Sequence, residues 1–356
     1  MKHYSDSDLN GILRHFSVAK KAYGFRLLTD GYINDTFLVF EGKTPRYILQ
    51  RINHNVFRNI SGVMNNIKFA LKSLDAPDYS KIILVETKSG KEYLELKEQS
   101  SDYWRMMTYI DESTAHNTTT DPKIAFEAGR IIAKFHLLLE NDTIENYVDT
   151  IPRFHDLELR KNQFVEALST TSHEKRQIAD SAIGFAQRTL TVLEDINPAE
   201  QPIRICHNDT KLNNILFSKT TGKALCLIDL DTLMTGRFLF DFGDAVRTIV
   251  NTAPEDEQDH SKITFEKKLF EAFIDGLAVN KSVFSKKEIE IMSWGAVLMP
   301  FLHGIRALTD YLNGNIYYKI AYENQNLDRC LSLFDFTGKA LARTEYMREV
   351  VQEKLG

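Results

Sequence analysis

Along the first third of the chain, apolar and polar positions alternate with the two-residue period of strands, and beyond it they recur at helical spacing. Asp6-Ser7-Asp8-Leu9 carries the capping chemistry of a helix start, with Leu9, Ile12, Leu13 and Phe16 on one face. Alternation then predicts strands over Tyr23 to Leu28, Asp35 to Glu41 and Arg46 to Ile52, and a further pair at Ile82 to Glu86 and Glu92 to Leu96. A helical stretch from Asn59 to Leu74 lies among them, and Trp104 to Ile110 is the last strand of the series. From Asp121-Pro122 onward the pattern is mostly helical, beginning with Ile124, Ala128, Ile131, Ile132, Phe135 and Leu138. Late in the chain, Trp294 to Leu312 predicts an apolar helix kinked or started by Pro300, with Phe301, Leu302, Ile305, Leu308 and Leu312 as its core face. The expectation is an α+β fold: an antiparallel sheet with one helix over residues 1–110, a mainly helical part over 111–356, and a boundary near residues 109 to 112.

One segment interrupts the helical pattern. Pro202 to Cys206 reads as a short strand leading into His207-Asn208-Asp209-Thr210-Lys211-Leu212-Asn213-Asn214, with Ile215 to Phe217 as a strand leading out. A turn at Thr220 to Lys223 and a second strand, Ala224 to Ile228, then deliver Asp229 and Asp231. A run rich in Asn and Asp can simply make a turn through its own backbone. The spacing suits a more specific chemistry. Phosphoryl transfer passes through a loose transition state, so a protein supplies a carboxylate to orient and deprotonate the hydroxyl, positive charge on the phosphates, and hard oxygen ligands for Mg2+. Asp209, Lys211, Asn214 and Asp229 match those jobs in order. His207 is expected to order the loop, and His136 to be a packed helix histidine.

With these residues placed, the chain resembles the aminoglycoside phosphotransferase and choline kinase superfamily, and more closely the bacterial N-acetylhexosamine 1-kinases. The likeness runs through Asp30-Gly31-Tyr32-Ile33-Asn34 with Thr36, Arg46 to Gln50, His207 to Leu216, Ile228 to Thr232, Phe240-Asp241-Phe242-Gly243-Asp244, and Arg306 to Tyr317. It implies a protein-kinase-like fold of two lobes with ATP and Mg2+ between them. It also implies transfer of the γ-phosphate to the anomeric hydroxyl of N-acetylglucosamine or N-acetylgalactosamine. Under it, Gly31, Asn34, Thr36 and Gln50 face the nucleotide, while Met107, Tyr109 and Ile110 form a lobe link that would supply backbone groups and apolar lining to adenine. Tyr32, Asp209, Arg306 and Tyr317 would meet the sugar, and Asp241 would brace the catalytic loop. Asp231 is either a ligand of a second magnesium or a solvated strand-end carboxylate. Arg306 read without the resemblance is a surface residue paired with Asp310 at i, i+4.

The third strand departs from the protein-kinase pattern. Protein kinases place a lysine there, paired with a glutamate on the following helix, to hold the phosphates. This chain has Gln50 followed by Arg51, and no Glu between residues 55 and 74. Successive side chains on a strand point to opposite faces, so Gln50 and Arg51 cannot both face the nucleotide. The expectation is that Gln50 does, with metal ions, Lys211 and loop amides supplying most of the charge stabilisation.

Composition narrows the remaining choices. The 356 residues are 43% hydrophobic, ample for real cores. A net charge of only −5 gives no general attraction to nucleic acid or anionic membrane. Cys206, Cys226 and Cys330 are scattered without metal spacing, which suits a reducing compartment. The N-terminus lacks the apolar core of a signal peptide, and no run is expected to reach membrane-spanning length, so a cytoplasmic location is expected. Two competitors share the catalytic residues: a kinase of choline, homoserine or an aminoglycoside, and a nucleotide-binding pseudokinase without turnover.

Overall fold

The computed structural model describes residues 4–28, 33–97, 101–194, 196 and 200–356. The chain divides into two compact units. Unit 1 is Met1–Ser113 with Asp142–Ile151 and Leu230–Met234; unit 2 is Thr114–Asn141, Pro152–Asp229 and Thr235–Gly356.

Unit 1 is built on a five-stranded antiparallel sheet. Its strands are β1 (Gly24–Leu28), β2 (Asp35–Glu41), β3 (Thr44–Ile52), β4 (Leu94–Lys97) and β5 (Ser101–Thr108), in the order β1-β2-β3-β5-β4. One face carries Phe37, Val39, Leu49, Trp104 and Met106, which pack against Leu9, Ile12, Leu13 and Phe16 of helix α1 (Asp6–Leu13) and the residues after it. Ser5 caps α1 through a reciprocal capping box with Asp8. Helix α2 (Ile60–Ser73) is capped by Asn59. Its buried Asn66 donates to the carbonyls of Val148 at 2.7 Å and Leu233 at 2.8 Å, tying both later segments of the unit to its first. The expected strand at Ile82 to Glu86 does not form, although the segment lies beside β5 through Val85 N to Met106 O at 2.8 Å and Thr108 N to Ile83 O at 2.9 Å. Two backbone bonds and one bridge, Leu84 to Met107, are too few for a ladder.

Unit 2 contains helices α3 (Pro122–Leu138), α4 (Leu157–Thr170), α5 (His173–Ile178), α6 (Asp180–Leu193), α7 (Phe238–Ile249), α8 (Lys267–Ala278), α9 (Lys286–Leu312), α10 (Gln325–Leu341) and α11 (Thr344–Leu355). Short strands β7 (Arg204–Cys206), β8 (Ile215–Ser218) and β9 (Ala224–Leu227) lie among them, while β6 (Ser113–Thr114) and β10 (Met234–Gly236) each begin in a unit 1 segment and end in a unit 2 segment. Helix α9 is the centre of the unit and packs against α4, α7, α10 and α11. It starts eight residues before Trp294, at a capping box made by Ser285 and Glu288, and Pro300 lies inside it. Its 27 residues are long and apolar enough to cross a membrane, contrary to the expectation that no run reaches that length. Most of its apolar stretch is buried within the protein, which is how a core helix acquires the same composition.

Two helix crossings run on glycine. A Cβ on Gly129 of α3 would lie 2.1 Å from the Phe273 carbonyl of α8, and one on Gly276 of α8 would lie 1.9 Å from the Phe126 carbonyl of α3. Gly243 of α7 and Gly295 of α9 repeat the arrangement, at 2.0 Å from the Gly295 carbonyl and 2.3 Å from the Leu239 carbonyl. Only hydrogen fits at these positions, so the backbones of α7 and α9 touch.

Candidate active site

Unit 2 brings the predicted catalytic residues together. Strand β7 ends at Cys206, and the chain turns through Asn208, held at φ 61°, to present Asp209. The turn is fixed from below by Asp241 on the first turn of α7, which is fully buried. Asp241 accepts the backbone N–H of His207 at 2.9 Å and of Asn208 at 2.6 Å, and its backbone carbonyl accepts the Thr210 hydroxyl at 2.5 Å. His136 Nε2 lies 3.0 Å from Asp241 Oδ2, so this histidine has a buried polar partner as well as packing neighbours. Burial lowers the His136 pKa, with Asp241 opposing. His136, Cys206 and Asp241 sit close enough to suggest a metal cluster, but Asp241 is already spent on the loop's amides.

Around Asp209 the geometry is specific. Lys211 Nζ lies 3.0 Å from Asp209 Oδ2, and Asn214 Nδ2 donates to the same oxygen at 2.8 Å. Oδ1 has no donor among the described residues and is the oxygen left for an incoming hydroxyl. Burial opposes the charge of Lys211, but the Asp209 and Asp229 carboxylates outweigh it and hold the ammonium protonated well above its ordinary range. Two acidic residues twenty positions apart therefore act on one lysine. His207 spans the same gap: its Nε2 lies 2.8 Å from the Ile228 carbonyl, and its Nδ1 accepts the Asp209 N–H at 3.3 Å. Asp229 follows with φ 59°, a left-handed backbone conformation sparsely used outside glycine. Asn214 turns its amide nitrogen to Asp209, which leaves its oxygen for another partner. That oxygen and the Asp229 carboxylate are hard donors of the kind Mg2+ takes.

A second group of unit 2 residues connects to this loop. His155 Nε2 lies 3.1 Å from the Asn208 carbonyl, and its ring packs on Phe154 with centroids 4.3 Å apart. Arg306 of α9 sits over the Phe154 ring at 5.3 Å. It is not paired with Asp310 as the local spacing suggests. Asp310 instead accepts the N–H groups of Tyr317 at 2.8 Å and Tyr318 at 3.0 Å and the Asn326 amide at 2.9 Å. Arg306 has no ion-pair partner among the described residues. Arg160 approaches from α4, donating to the Phe154 carbonyl at 2.8 Å, and Asp156 beside it is spent on Arg153 at 2.5 Å. Burial, then the nearby Arg306 charge, lower Arg160 to about 10. Tyr317 is 61% exposed, at the end of the loop that Asp310 holds.

Behind the loop runs a buried ion chain. Asp244 pairs with Arg247 at 2.7 Å, Arg247 with Glu255 at 3.2 Å, and Glu255 with Arg329 at 3.0 Å. His303 Nε2 lies 3.3 Å from Asp244 Oδ1. Burial, reinforced by Arg247, depresses His303 to about 4, and burial with the neighbouring His303 depresses His155 to about 4. Both rings are neutral at pH 7.

Of the residues expected to face the nucleotide, unit 1 places Thr36, Gln50 and Met107 on the sheet face opposite its apolar core. Register pairs Thr36 with Gln50 and Gln50 with Arg105, and the next row pairs Leu38 with Ile48 and Ile48 with Met107. One row is polar and the other apolar. Gln50 Nε2 donates to Thr36 Oγ1 at 3.0 Å, and Gln50 Oε1 accepts Arg105 Nε at 2.9 Å. Arg51 points the other way, to Asp35 at 2.6 Å and Asp102 at 3.4 Å, as strand alternation requires. Asp231 is not a solvated strand-end carboxylate. Its Oδ1 is bonded to Arg105 and its Oδ2 accepts Asn34 Nδ2 at 2.6 Å, with Asp231 and Arg105 each 2% exposed. Asp231, which the sequence also offers as a ligand of a second magnesium, stands here in an internal ion pair with Arg105. Asn34 is likewise committed, since its oxygen accepts the Asn53 N–H at 3.0 Å. Of the linker groups expected to meet adenine, the Tyr109 N–H donates to the Arg46 carbonyl at 2.9 Å and the Ile110 carbonyl accepts the Ser113 hydroxyl at 2.6 Å. Gly31 and Tyr32 lie outside the described residues. Sequence reasoning missed Arg105, Phe154, His155 and Arg160. For Arg105 the signal was present, a lone charge in the apolar strand Trp104-Arg105-Met106-Met107.

The model of the phosphotransferase enzyme family matches residues 24–272. Among solved structures, the chain is similar to a microcompartment-associated aminopropanol kinase, at 16% identity and TM-score 0.63 over 96% of this chain and 98% of that one. It is similar to a spectinomycin phosphotransferase solved with ADP and spectinomycin, at 12% identity and TM-score 0.63 over 97% and 99%. It is also similar to a choline kinase from Cryptosporidium parvum Iowa II, at 13% identity and TM-score 0.52 over 98% and 96%. The fold is thus kinase-like, an antiparallel sheet followed by a helical part, and the chain belongs to the phosphotransferase enzyme family.

Proposed function

We propose that this phosphotransferase moves the γ-phosphoryl group of ATP to the anomeric 1-hydroxyl of an N-acetylhexosamine. Asp209 Oδ1 receives the hydroxyl and its proton, while Lys211 and Asn214 hold Oδ2 and so fix the carboxylate's orientation. Lys211, kept protonated by Asp209 and Asp229, neutralises the transferring phosphoryl group. Asn214 and Asp229 would hold Mg2+, which supplies charge neutralisation at the phosphates when bound. An anomeric hydroxyl is more acidic than an ordinary alcohol, which lightens the demand on Asp209 as a base. Cys206, Cys226 and Cys330 are free and buried, which fits a cytoplasmic, reducing setting.

The observation that carries the choice of acceptor is the pair of guanidiniums at Phe154. Arg306 on its ring and Arg160 on its carbonyl have no carboxylate partner among the described residues, and both adjoin the segment that His155 bonds to the catalytic loop. Aminopropanol and choline are cations, and a cation would meet uncompensated like charge here. A neutral sugar rich in hydroxyl and amide oxygens offers acceptors to a planar, multi-donor guanidinium. Tyr317, on the loop fixed by Asp310, is the aromatic partner for the sugar ring.

The deciding experiment is single-turnover transfer from ATP to N-acetylglucosamine and N-acetylgalactosamine, run beside choline, aminopropanol, homoserine and an aminoglycoside. Sugar 1-phosphate formation is expected. Preferential phosphorylation of a cationic acceptor would overturn the reading of Arg306, and nucleotide binding without transfer to any acceptor would favour a pseudokinase.

A further inference from the structure

The third strand lacks the lysine that protein kinases use to hold nucleotide phosphates, and we propose a replacement: Arg105, on the neighbouring strand, positions Gln50 so that it presents an N–H donor to the phosphates. This inference rests on the reading of the Thr36, Gln50 and Arg105 face of the sheet as the nucleotide face.

Three relations carry it. Arg105 is the register partner of Gln50 on β5, so its charge enters at the height where a third-strand lysine would stand. The guanidinium is 2% exposed and is neutralised by Asp231, which is itself held by Asn34. Its Nε–H is spent on Gln50 Oε1 at 2.9 Å. Glutamine is chemically two-sided, with a carbonyl that repels an anion and an amide that attracts one. A guanidinium can only donate, so it takes the oxygen and forces the nitrogen outward. One amide hydrogen then goes to Thr36 Oγ1 at 3.0 Å, and the other is left as a donor from a side chain that is only part-buried. Asp231 thus fixes Arg105, Arg105 fixes Gln50, and Gln50 shows a single polarity. Arg105 acts through Gln50 and is a positioning residue. The same relay explains why the strand can hold a neutral side chain where other kinases need a cation: the positive charge sits one strand over, shielded from solvent, and its effect is delivered as oriented dipoles.

The test is direct titration of ADP with Mg2+ onto purified wild type and variants, alongside thermal melting and the KM values for ATP and acceptor. Gln50→Glu keeps an oxygen for Arg105 and exchanges the outward amide for carboxylate. It should melt near the wild-type temperature and lose ADP affinity by at least about tenfold, the weight of one charge-assisted hydrogen bond. The double variant Arg105→Gln with Asp231→Asn removes both buried charges, so no lone ion is left to unfold the sheet. It should fold and bind ADP at least about tenfold more weakly, raising KM for ATP and sparing KM for the acceptor. Arg105→Lys, which cannot serve Gln50 and Asp231 together, should fall the same way. If all three variants bind ADP like wild type while only melting temperatures move, Arg105 is a structural residue and the proposal is wrong. Because ADP binding is read without any acceptor, a wild type that binds ADP yet phosphorylates no N-acetylhexosamine would sink the substrate reading alone. A wild type that does not bind ADP would sink both.

Discussion

Asp241 Oδ1 accepts the backbone N–H of Asn208 at 2.6 Å across 33 residues of sequence, and Asn208 is the residue immediately before Asp209. The position of the candidate base is therefore set by a carboxylate that never touches the reacting atoms. Asp241→Asn would turn an amide hydrogen toward at least one of the His207 and Asn208 N–H groups. A loss of stability of about 2 kcal/mol is expected, the cost of leaving a buried donor unsatisfied. Denaturant melts should show this together with a fall in kcat that exceeds any change in KM for ATP.

Asp209→Asn should abolish transfer and leave nucleotide binding in place, since Asp209 contributes through its free Oδ1 and its contacts are with Lys211 and Asn214. Quench-flow and ADP titration on one preparation check both halves, and residual turnover near wild type would remove Asp209 from the mechanism.

Arg306→Lys should raise KM for the sugar roughly tenfold or more, because an ammonium cannot reproduce the planar fork of donors, and should leave KM for ATP unchanged. Steady-state kinetics with each substrate varied in turn separates the two. An unchanged sugar KM would return Arg306 to a packing role on Phe154.

Stability should fall as pH drops from about 6.5 toward 4, with His155 and His303 as the cause. Both folded-state pKa values are depressed to about 4, so in this window the unfolded chain takes up protons that the folded chain refuses. Each ring adds a slope of up to about 1.4 kcal/mol per pH unit within this window; the stability it contributes is present in full above the unfolded pKa and is lost as the pH falls through the folded one. Urea unfolding at stepped pH should show the slope, and replacing both histidines by glutamine should flatten it.

Gly243→Ala should be strongly destabilising, because its Cβ would fall 2.0 Å from the Gly295 carbonyl and force α7 away from α9. Overpacking of this kind costs about 1–3 kcal/mol, and here the displaced helix is the one carrying Asp241. Loss of activity out of proportion to the drop in melting temperature is the expected signature. Gly129→Ala, at the α3–α8 crossing, is its control, with stability lost and kcat kept in the folded fraction.

Local pattern made the first two-thirds of unit 1 readable. Strand period located β1, β2 and β3 within two residues, and Asn59 and Asp121 cap helices where turn chemistry places them. Ile82 to Glu86 failed because alternation reports a half-buried surface and not a ladder; the segment lies along β5 but makes only two backbone bonds to it. The start of α9 is hard to read because its first turn, Lys286-Lys287-Glu288, is charged and the helix beyond it is buried nearly all round, so no clean 3.6-residue contrast marks where it begins. At the site, Asp209, Lys211, Asn214 and Asp229 were legible since one short loop and hairpin carries them. Arg306 was legible only through resemblance, as its neighbour Phe154 is 152 residues away in sequence, and the partners of Asp310 are two backbone amides and the Asn326 side chain beyond the helix, which no i, i+4 spacing reveals. The ion pair of Asp231 is not legible in the sequence because its partner Arg105 stands 126 positions earlier.

The pleated surface shared by Thr36, Gln50 and Arg105 has an evolutionary corollary. Where neighbouring strands run in fixed register, a side chain can be exchanged laterally, its chemistry handed to the adjacent ribbon, without altering the shape of the crevice it serves. Linear signatures that demand a basic residue at one point along the polypeptide will discard such enzymes as inactive, whereas a search that scores each two-dimensional patch of a sheet would retain them.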